Sequence, residues 1–300
     1  MTFAQGSRNG LSYVTEATFG TTPVSPNMLS LPINTHSLEL SKTIVESAEI
    51  RSDRQTSVSR HGNKRVQGDI EVDFRADDHD DFLEAACFGS FDSNNELRVG
   101  ITPKFFTIED RQLDIGYYRQ YRGCTVNTMS MSVKPDEIVK ATFGIVGKSS
   151  TAGTVSLDSS PTADGQNDPF DAFSGALNEN GSPVSVVSGI EFQLENGVDP
   201  AFVVGSAETP QLQYGRAKIT GQITVYYENL DLVNKFINET GSSLSFAMSD
   251  GVKTYTFSFP NIKYNGASMP LQNEQSRIIT MPFIALYDAI EGTNLVISKS

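Results

Sequence analysis

The sequence predicts a mainly β protein with two tandem β-sandwich or barrel domains, each with a short flanking α-helix, plus long loops or arms. The first reason is an internal repeat. The stretch GNKRVQGDIEVDFRADDHDDFLEAACF, residues 62–88, recurs in diverged form as GRAKITGQITVYYENLDLVNKFINET, residues 215–240. Gly62 and Gly68 return 153 positions later as Gly215 and Gly221. A repeat of this length is better explained by two similar domains than by chance.

The second reason is the pattern within each copy, which predicts a strand, a polar cap and a short helix. Apolar residues at even spacing place their side chains on one face of a strand. They are Val66, Ile70, Val72 and Phe74 in the first copy, and Ile219, Ile223, Val225 and Tyr227 in the second. Asp69, Glu71 and Asp73 alternate with them, which predicts an antiparallel strand with one wet face. Helical spacing follows at Phe82, Leu83 and Ala86, and at Leu232, Val233 and Phe236.

Composition narrows the class of function. A formal net charge of −13 makes the chain a poor general binder of nucleic acid, although an acidic wall could let DNA slide past without sticking. No apolar run approaches the roughly 18 residues of a membrane span, so no membrane contact is expected. The beginning lacks the apolar core of a signal peptide. Cys87 and Cys124 are expected to be reduced core thiols, with a disulfide or metal pair as the alternative.

Along the first half, residues 1–32 are interpreted as an irregular N-terminal arm and residues 31–40 as a strand. Residues 41–61 are polar and too long for a tight turn, which predicts an extended loop or a protruding hairpin. Basic side chains make this segment locally positive: Arg51, Arg54 and Arg60. We expect a contact arm that meets an acidic surface on a neighbouring subunit; a solvated loop is the alternative. Nucleic-acid binding is disfavoured because no aromatic residues are interleaved.

Residues 77–81, DDHDD, allow two interpretations. Carboxylates and an imidazole can bind a divalent cation. Acidic residues just before a helix can also satisfy its free N–H groups and favour its dipole. The second copy has Glu228, Asn229 and Asp231 here, which keep the capping chemistry and lose the metal cluster. We therefore predict a helix cap, with no metal and no cofactor.

Alternating segments predict a hairpin in each half. In the first half, residues 126–133 and 138–146 are the two predicted strands, with a turn at Pro135-Asp136. In the second half, the two strands are residues 255–264 and 278–286, with a turn near Asn273-Glu274. The Ser-, Thr-, Gly- and Asp-rich residues 148–168 predict a linker between a first domain, 1–147, and a second, 169–300. In the second domain Asn180-Gly181 predicts a turn, and Ile190, Phe192 and Leu194 predict a strand.

No pattern in the sequence indicates catalysis. The three histidines, His36, His61 and His79, stand in no nucleophile–base arrangement. There is no GxSxG, P-loop, GxGxxG after a strand, or HExxH motif. We therefore predict no catalytic, cofactor-binding or metal-binding residues, and a protein that is not an enzyme.

Several segments, taken in order, resemble the tail tube proteins (major tail proteins) of long-tailed, non-contractile bacteriophages. They are TEATFGTTP, SAEI, VQGDIEVDF, DDFLEAACFG, FSGAL, SGIEFQLENG and KITGQITVYY. The resemblance spans nearly the whole chain and brings no catalytic residues. It implies tail-tube-type β domains whose sheets join between subunits into a continuous inner barrel. Rings stack through loops and arms, and DNA passes through the lumen.

The resemblance implies a structural virion protein, assembled in the host bacterial cytoplasm, that forms the conduit for DNA ejection. The implied partners are copies of itself and the tape measure, tail tip and terminator proteins, with transient, non-specific passage of DNA. Two domains per chain predict homotrimeric, pseudo-hexameric rings; a homohexamer with one decorating domain is the alternative. Asp69, Glu71 and Asp73 are expected on a negative lumen wall. The alternative function is a two-domain β-rich virion or cell-surface adhesin that binds a receptor.

Overall fold

Alternating apolar and polar residues fold into long antiparallel strands in the computed structural model, which describes residues 3–171, 176–184, 187–227, 231–269 and 276–300. The first half contains β1 (Asn9–Glu16), β2 (Leu29–Leu31), β3 (Thr35–His36), β4 (Glu39–Glu46), β5 (Ser59–Asp73), α1 (Asp80–Cys87), β6 (Glu96–Arg98), β7 (Phe105–Gln112), β8 (Tyr117–Val133), β9 (Lys140–Gly147) and β10 (Ser149–Gly153). The second half contains β11 (Ala176–Glu179), β12 (Ser182–Pro183), β13 (Val187–Glu195), β14 (Asp199–Ala201), β15 (Gln211–Gln213), β16 (Lys218–Tyr226), α2 (Asp231–Ile237), β17 (Ser242–Ser249), β18 (Thr254–Tyr264), β19 (Ile278–Ala285) and β20 (Val296–Lys299). The predicted mainly β class is confirmed.

The first half is organised around β5. This strand pairs with β4, where Leu40 faces Val66, and with β9, where Ile70 faces Phe143. The apolar face predicted for β5 is fully buried, as its four members have no exposed side-chain area: Val66, Ile70, Val72 and Phe74. Helix α1 covers this face through Phe82, whose ring lies 5.4 Å from that of Phe143. The predicted sequence of strand, polar segment and short helix is confirmed here.

The second half repeats these pairings around β16. Leu194 of β13 faces Ile219, as Leu40 faces Val66 in the first half. Ile223 faces Met281 of β19, as Ile70 faces Phe143. The pattern β4–β5–β9 thus has a counterpart in β13–β16–β19.

The repeated glycines mark the same close backbone approach in both halves. A Cβ atom on Gly68 would lie 2.5 Å from the carbonyl oxygen of Ser37, and Gly68 has φ +145°. A Cβ atom on Gly221 would lie 2.6 Å from the carbonyl oxygen of Glu191. Both distances are below any ordinary contact, so a side chain at either position requires the neighbouring strand to move.

One long strand joins the halves into a single sheet. The first part of β8 pairs with β7 and β10, and its last part pairs with β9 on one side and β13 on the other. At the junction with β13, Met131 faces Phe192 and Met129 faces Leu194. The sheet therefore runs β4–β5–β9–β8–β13–β16–β19 without a break. The sequence pattern gave no sign of this pairing.

Two segments differ from the sequence predictions, and a third forms a strand for which no prediction was made. The N-terminal segment is not irregular, because β1 pairs with β7 along its whole length and buries Tyr13. Residues 31–40 do not form one strand: Pro32 has no N–H to donate to a ladder, and the chain breaks into the short β2, β3 and the start of β4. The C-terminal tail contains β20, which pairs with β18 and β6 and buries Ile297.

Residues 148–168, the predicted linker, lie along the first half. They include β10, and the Glu109 carboxylate accepts hydrogen bonds from Ser156 Oγ at 2.6 Å and from the Leu157 N–H at 2.8 Å. Just beyond them, Phe170 is buried against Phe74, with ring centroids 5.6 Å apart. This stretch is therefore tied to the fold by specific hydrogen bonds.

The predicted turn at Asn180-Gly181 is confirmed. The two residues connect β11 and β12 with φ values of 51° and 75°, the positive pair that a type I′ hairpin turn requires. The predicted turn near Asn273-Glu274 lies outside the described residues, as do Glu228 and Asn229.

Candidate functional site

The polar face of the continuous sheet forms a concave groove of about 530 Å³ that crosses the junction between the halves. Its walls come from β5, β9, β8, β13 and β16 and from Lys134 just after β8. The lining polar residues are Glu71, Ser130, Ser132, Lys134, Lys140, Thr142, Glu191, Gln193, Thr220 and Gln222. A second depression on the same face, of about 430 Å³, includes Glu39, Arg65 and Asp69.

Strand alternation places these side chains opposite the core. Glu71 lies between the buried Ile70 and Val72, and Glu191 lies between the buried Ile190 and Phe192. Because β8 and β13 pair directly, the polar faces of the two halves become one surface. The alternation along β5 predicts its polar side chains in this wall. It does not predict the groove, because the periodicity of neither half specifies that the two halves join.

The carboxylates of the groove are held in ion pairs. Glu71 pairs with Lys140 at 3.2 Å, and Glu191 pairs with Lys134 at 2.6 Å while accepting a hydrogen bond from Gln222 Nε2 at 2.9 Å. The bond from Lys134 lowers the pKa of Glu191, and the same bond raises the pKa of Lys134. The groove is therefore a polar wall with paired charges rather than a purely acidic one. It offers hydroxyl, amide and ion-paired groups, and the Ser132 hydroxyl donates a hydrogen bond to the Glu191 carboxylate at 3.4 Å.

The acidic cluster at 77–81 connects α1 to the second half. Asp80 accepts a hydrogen bond from Tyr255 Oη at 2.7 Å and forms an ion pair with Lys299. Asp77 forms an ion pair with Lys253. Burial, and then the charge of Asp80, raise the pKa of Tyr255. Asp77 and Asp80 are thus partnered by cations and a phenol from β18, β20 and the turn before β18. Asp81 pairs instead with Lys104 of the first half at 2.7 Å.

The helix-cap prediction for this cluster holds only in part. Asp80 and Asp81 lie in the first turn of α1, where they favour the helix dipole. The N-cap residue, however, is His79, and its side chain makes no capping hydrogen bond. Within the described ranges, no group of three or more His, Cys, Asp or Glu is arranged to hold a metal ion.

The histidines and cysteines are dispersed. His36 lies 3.8 Å from Asp110, and His61 is exposed near the base of the β4–β5 hairpin. His79 is fully buried, accepts a hydrogen bond from the Arg75 N–H at 3.2 Å and stacks on Phe74. Two free thiols are buried, and burial raises their pKa: Cys87, to about 12, and Cys124. The predicted reduced core thiols are confirmed.

Acidification from pH 6.5 to 4 is expected to cost up to about 3 kcal/mol of unfolding free energy through His79. Burial lowers its pKa from 6.5 to about 4. Between these values the unfolded chain binds a proton that the folded chain does not, so stability is complete above pH 6.5 and falls as the pH falls. Urea unfolding of wild type and His79→Gln at several pH values measures this. Gln keeps an acceptor for the Arg75 N–H and does not titrate.

The exposed His61→Gln variant is the matched control, and it should keep the wild-type slope of stability against pH. An unchanged slope in His79→Gln would contradict the assignment.

The segment predicted as a loop or hairpin is a protruding hairpin formed by the ends of β4 and β5. Its tip, residues 47–58, is exposed throughout, and Arg51 pairs with Asp53 within it at 2.7 Å. We call residues 44–60 the arm. Besides the basic residues on which its prediction depended, the arm carries exposed apolar side chains that the prediction did not include: Ile44, Val45, Ile50 and Val58.

The second half has a smaller hairpin in the corresponding place, formed by β14 and β15. It lies on the base of the arm: the Lys64 N–H donates to the Ala207 carbonyl at 2.7 Å, and Lys64 Nζ pairs with Glu208 at 3.3 Å. Arg65 pairs with Asp199 at 3.4 Å. The hairpin of one half therefore covers the edge of the neighbouring half within the chain.

The family model described as phage tail tube protein matches residues 6–285. No curated protein matches the chain. Neither helix in the described part of the chain is long and apolar enough to cross a membrane.

Proposed function

The chain belongs to the phage tail tube protein family, and we propose from this premise that it polymerises as stacked rings into the tail tube of a long-tailed, non-contractile phage. The tube is the conduit through which DNA is ejected into the host. The protein is then a structural component of the virion and not an enzyme. Assembly takes place in the host bacterial cytoplasm, with tape measure, tail tip and terminator proteins as further partners.

The observation that carries the ring proposal is the continuous sheet across the two halves. The β8–β13 ladder sets two similar strand groups side by side, as neighbouring wedges of a ring require. Six wedges at two per chain need three chains, so we propose a homotrimeric, pseudo-hexameric ring. In this arrangement residues 1–147 and 169–300 act as the two tube domains, and residues 148–168 connect them.

The concave polar groove is proposed as part of the lumen wall. Polar groups that are already hydrogen-bonded or ion-paired, such as Glu71 and Glu191, leave few free cations for DNA phosphates. Asp69 and Asp73 on the same face of β5 add negative charge, which repels a passing polyanion. A wall of this kind resists adhesion of DNA.

Electron cryomicroscopy of the purified protein tests these proposals. We expect rings or tubes with threefold true symmetry, sixfold pseudo-symmetry and the groove facing the lumen. Six chains per ring would replace the trimer by a hexamer in which one domain decorates the outside, and a groove on the outer wall would overturn the lumen assignment. Dispersed particles under conditions of assembly would overturn the tube and favour a receptor-binding adhesin.

A further inference from the structure

The internal junction between the halves is a template for the contact between two copies of the chain. At this junction β8, an outer strand of the group β4–β5–β9–β8, pairs with β13, the outer strand of the group β13–β16–β19. Among the residues that the structure describes, the repeat leaves two strand edges that lack this type of partner. One is β4, the counterpart of β13, and among the described residues its only strand partner is β5. The other is the second-half counterpart of β8.

That second-half counterpart is identified by its ladder with β19. In the first half Val126 faces Ile145 and Ser130 faces Thr142. In the second half Tyr264 faces Phe283 and Ser268 faces Thr280, so all four residues are displaced by 138 positions. The sequences agree as well, with NGASM at 265–269 in place of NTMSM at 127–131. Residues 265–269 thus occupy the place of the β8 edge that receives β13.

We infer that β4 of one copy pairs antiparallel with residues 266–269 of a second copy, in the register of the internal junction. Within the chain, Gln193 faces Ser130 and Leu194 faces Met129. β4 is displaced from β13 by 154 positions, because Leu40 faces Val66 as Leu194 faces Ile219. With this displacement for β13 and 138 for β8, the pairs become Glu39 opposite Ser268 and Leu40 opposite Ala267. The contact is head-to-tail, so it continues around a ring until the ring closes. This inference rests on the proposed ring and specifies the surfaces that close it.

The backbone hydrogen-bonding groups at this edge are oriented for such pairing. Ser268 exchanges both of its backbone hydrogen bonds with Thr280, each at 2.9 Å, so its N–H and C=O point into its own sheet. The backbone groups of the neighbouring Ala267 therefore point to the opposite edge, which among the described residues has no strand partner. The Met269 carbonyl accepts a hydrogen bond from Arg277 Nη2 at 3.3 Å. Glu39 and Ser268 would form a non-hydrogen-bonded pair, whose Cα atoms lie about 4.5 Å apart.

The same relation between the halves also predicts where the arm binds on the second copy. The β14–β15 hairpin covers Lys64 and Arg65, whose counterparts 153 positions later are Ala217 and Lys218. With β4 paired to a second copy, the arm lies over Ala217 and Lys218 of that copy. The exposed apolar side chains of the arm are then buried in the contact between the two copies.

A disulfide test measures the register directly. The double variant Glu39→Cys/Ser268→Cys is assembled, checked for tubes by electron microscopy, oxidised, and separated without reductant. A Cα separation of about 4.5 Å suits a disulfide, so we expect about tenfold more interchain crosslinking than in Ser41→Cys/Ser268→Cys, which is displaced by two residues. The native Cys87 and Cys124 are buried and do not compete.

A second variant covers the case in which the cysteine protein fails to assemble. Ala267→Pro removes an N–H that points to the free edge, so we expect a folded monomer, by circular dichroism, that forms no rings. Normal rings from Ala267→Pro, or tubes that crosslink no more in the first pair than in the second, would overturn the register. Failure of the proposed function is a separate result, because the wild-type protein itself would then form no rings or tubes.

Discussion

Deletion of residues 45–57 is expected to abolish tube formation while leaving the subunit folded. The deleted residues are exposed and contribute nothing to the buried core. The cut joins Ile44 to Val58, and because Ile44 already faces His61 across the β4–β5 ladder, a short hairpin can close the gap. What is lost is the protruding surface that we propose to cover a neighbouring copy. Negative-stain microscopy reports the tubes, and circular dichroism with urea unfolding reports the fold.

A full-length control separates apolar contact from arm length. Replacing Ile44, Val45 and Ile50 by Ser keeps the hairpin and removes most of its exposed apolar surface. We expect this variant to assemble only at higher protein concentration, because the contact loses hydrophobic free energy while its geometry is kept. Normal tubes from the deletion variant would show that the arm is dispensable and make it a solvated loop.

Ala at the repeated glycines Gly68 and Gly221 is expected to be strongly destabilising. At Gly68 the new Cβ would lie 2.5 Å from the Ser37 carbonyl oxygen, and φ +145° is a strained conformation for Ala. Strain and steric overlap together should cost about 3 kcal/mol or more. At Gly221 only the overlap applies, with the Glu191 carbonyl oxygen and the Phe283 ring, and about 1–3 kcal/mol is expected. Urea unfolding midpoints measure both.

Gly10→Ala is the matched control, since Gly10 also lies in a strand and a Cβ there would meet nothing within 4 Å. Its midpoint should change by no more than about 0.5 kcal/mol in free energy. Because the sheet is continuous, Gly68→Ala and Gly221→Ala should both shift one shared unfolding transition. Equal midpoints for Gly68→Ala and Gly10→Ala would refute the account of the repeated glycine.

Local pattern was sufficient to predict the elements that bury one face. The even spacing from Val66 to Phe74 and the helical spacing around Phe82 each determine which side chains face the core, and both predictions are confirmed. The turn at Asn180-Gly181 was equally predictable, because Asn followed by Gly strongly favours positive φ at two successive residues. Such features depend on a few neighbouring residues.

Features that depend on distant partners were not predictable in this way. β1 looked irregular because Gly and Thr weaken its pattern, and its stability comes from pairing with β7, about a hundred residues later. β20 is too short to show a period. The groove requires β8 and β13 to pair, a contact that the periodicity of neither strand specifies. Asp77 and Asp80 of the acidic cluster have their cations in the turn before β18 and on β20, so their sequence neighbours did not reveal their role.

The β8–β13 pairing has a consequence for synthesis of the chain. β8 ends at Val133 and β13 ends at Glu195, so about 60 residues separate the two edges along the chain. At typical bacterial elongation rates a ribosome needs roughly 3–12 s to add them, and β8 is without its partner for that time. A nascent chain on a neighbouring ribosome then offers a competing β13. The covalent connection favours the correct partner, because it holds β13 near β8 at an effective concentration in about the millimolar range.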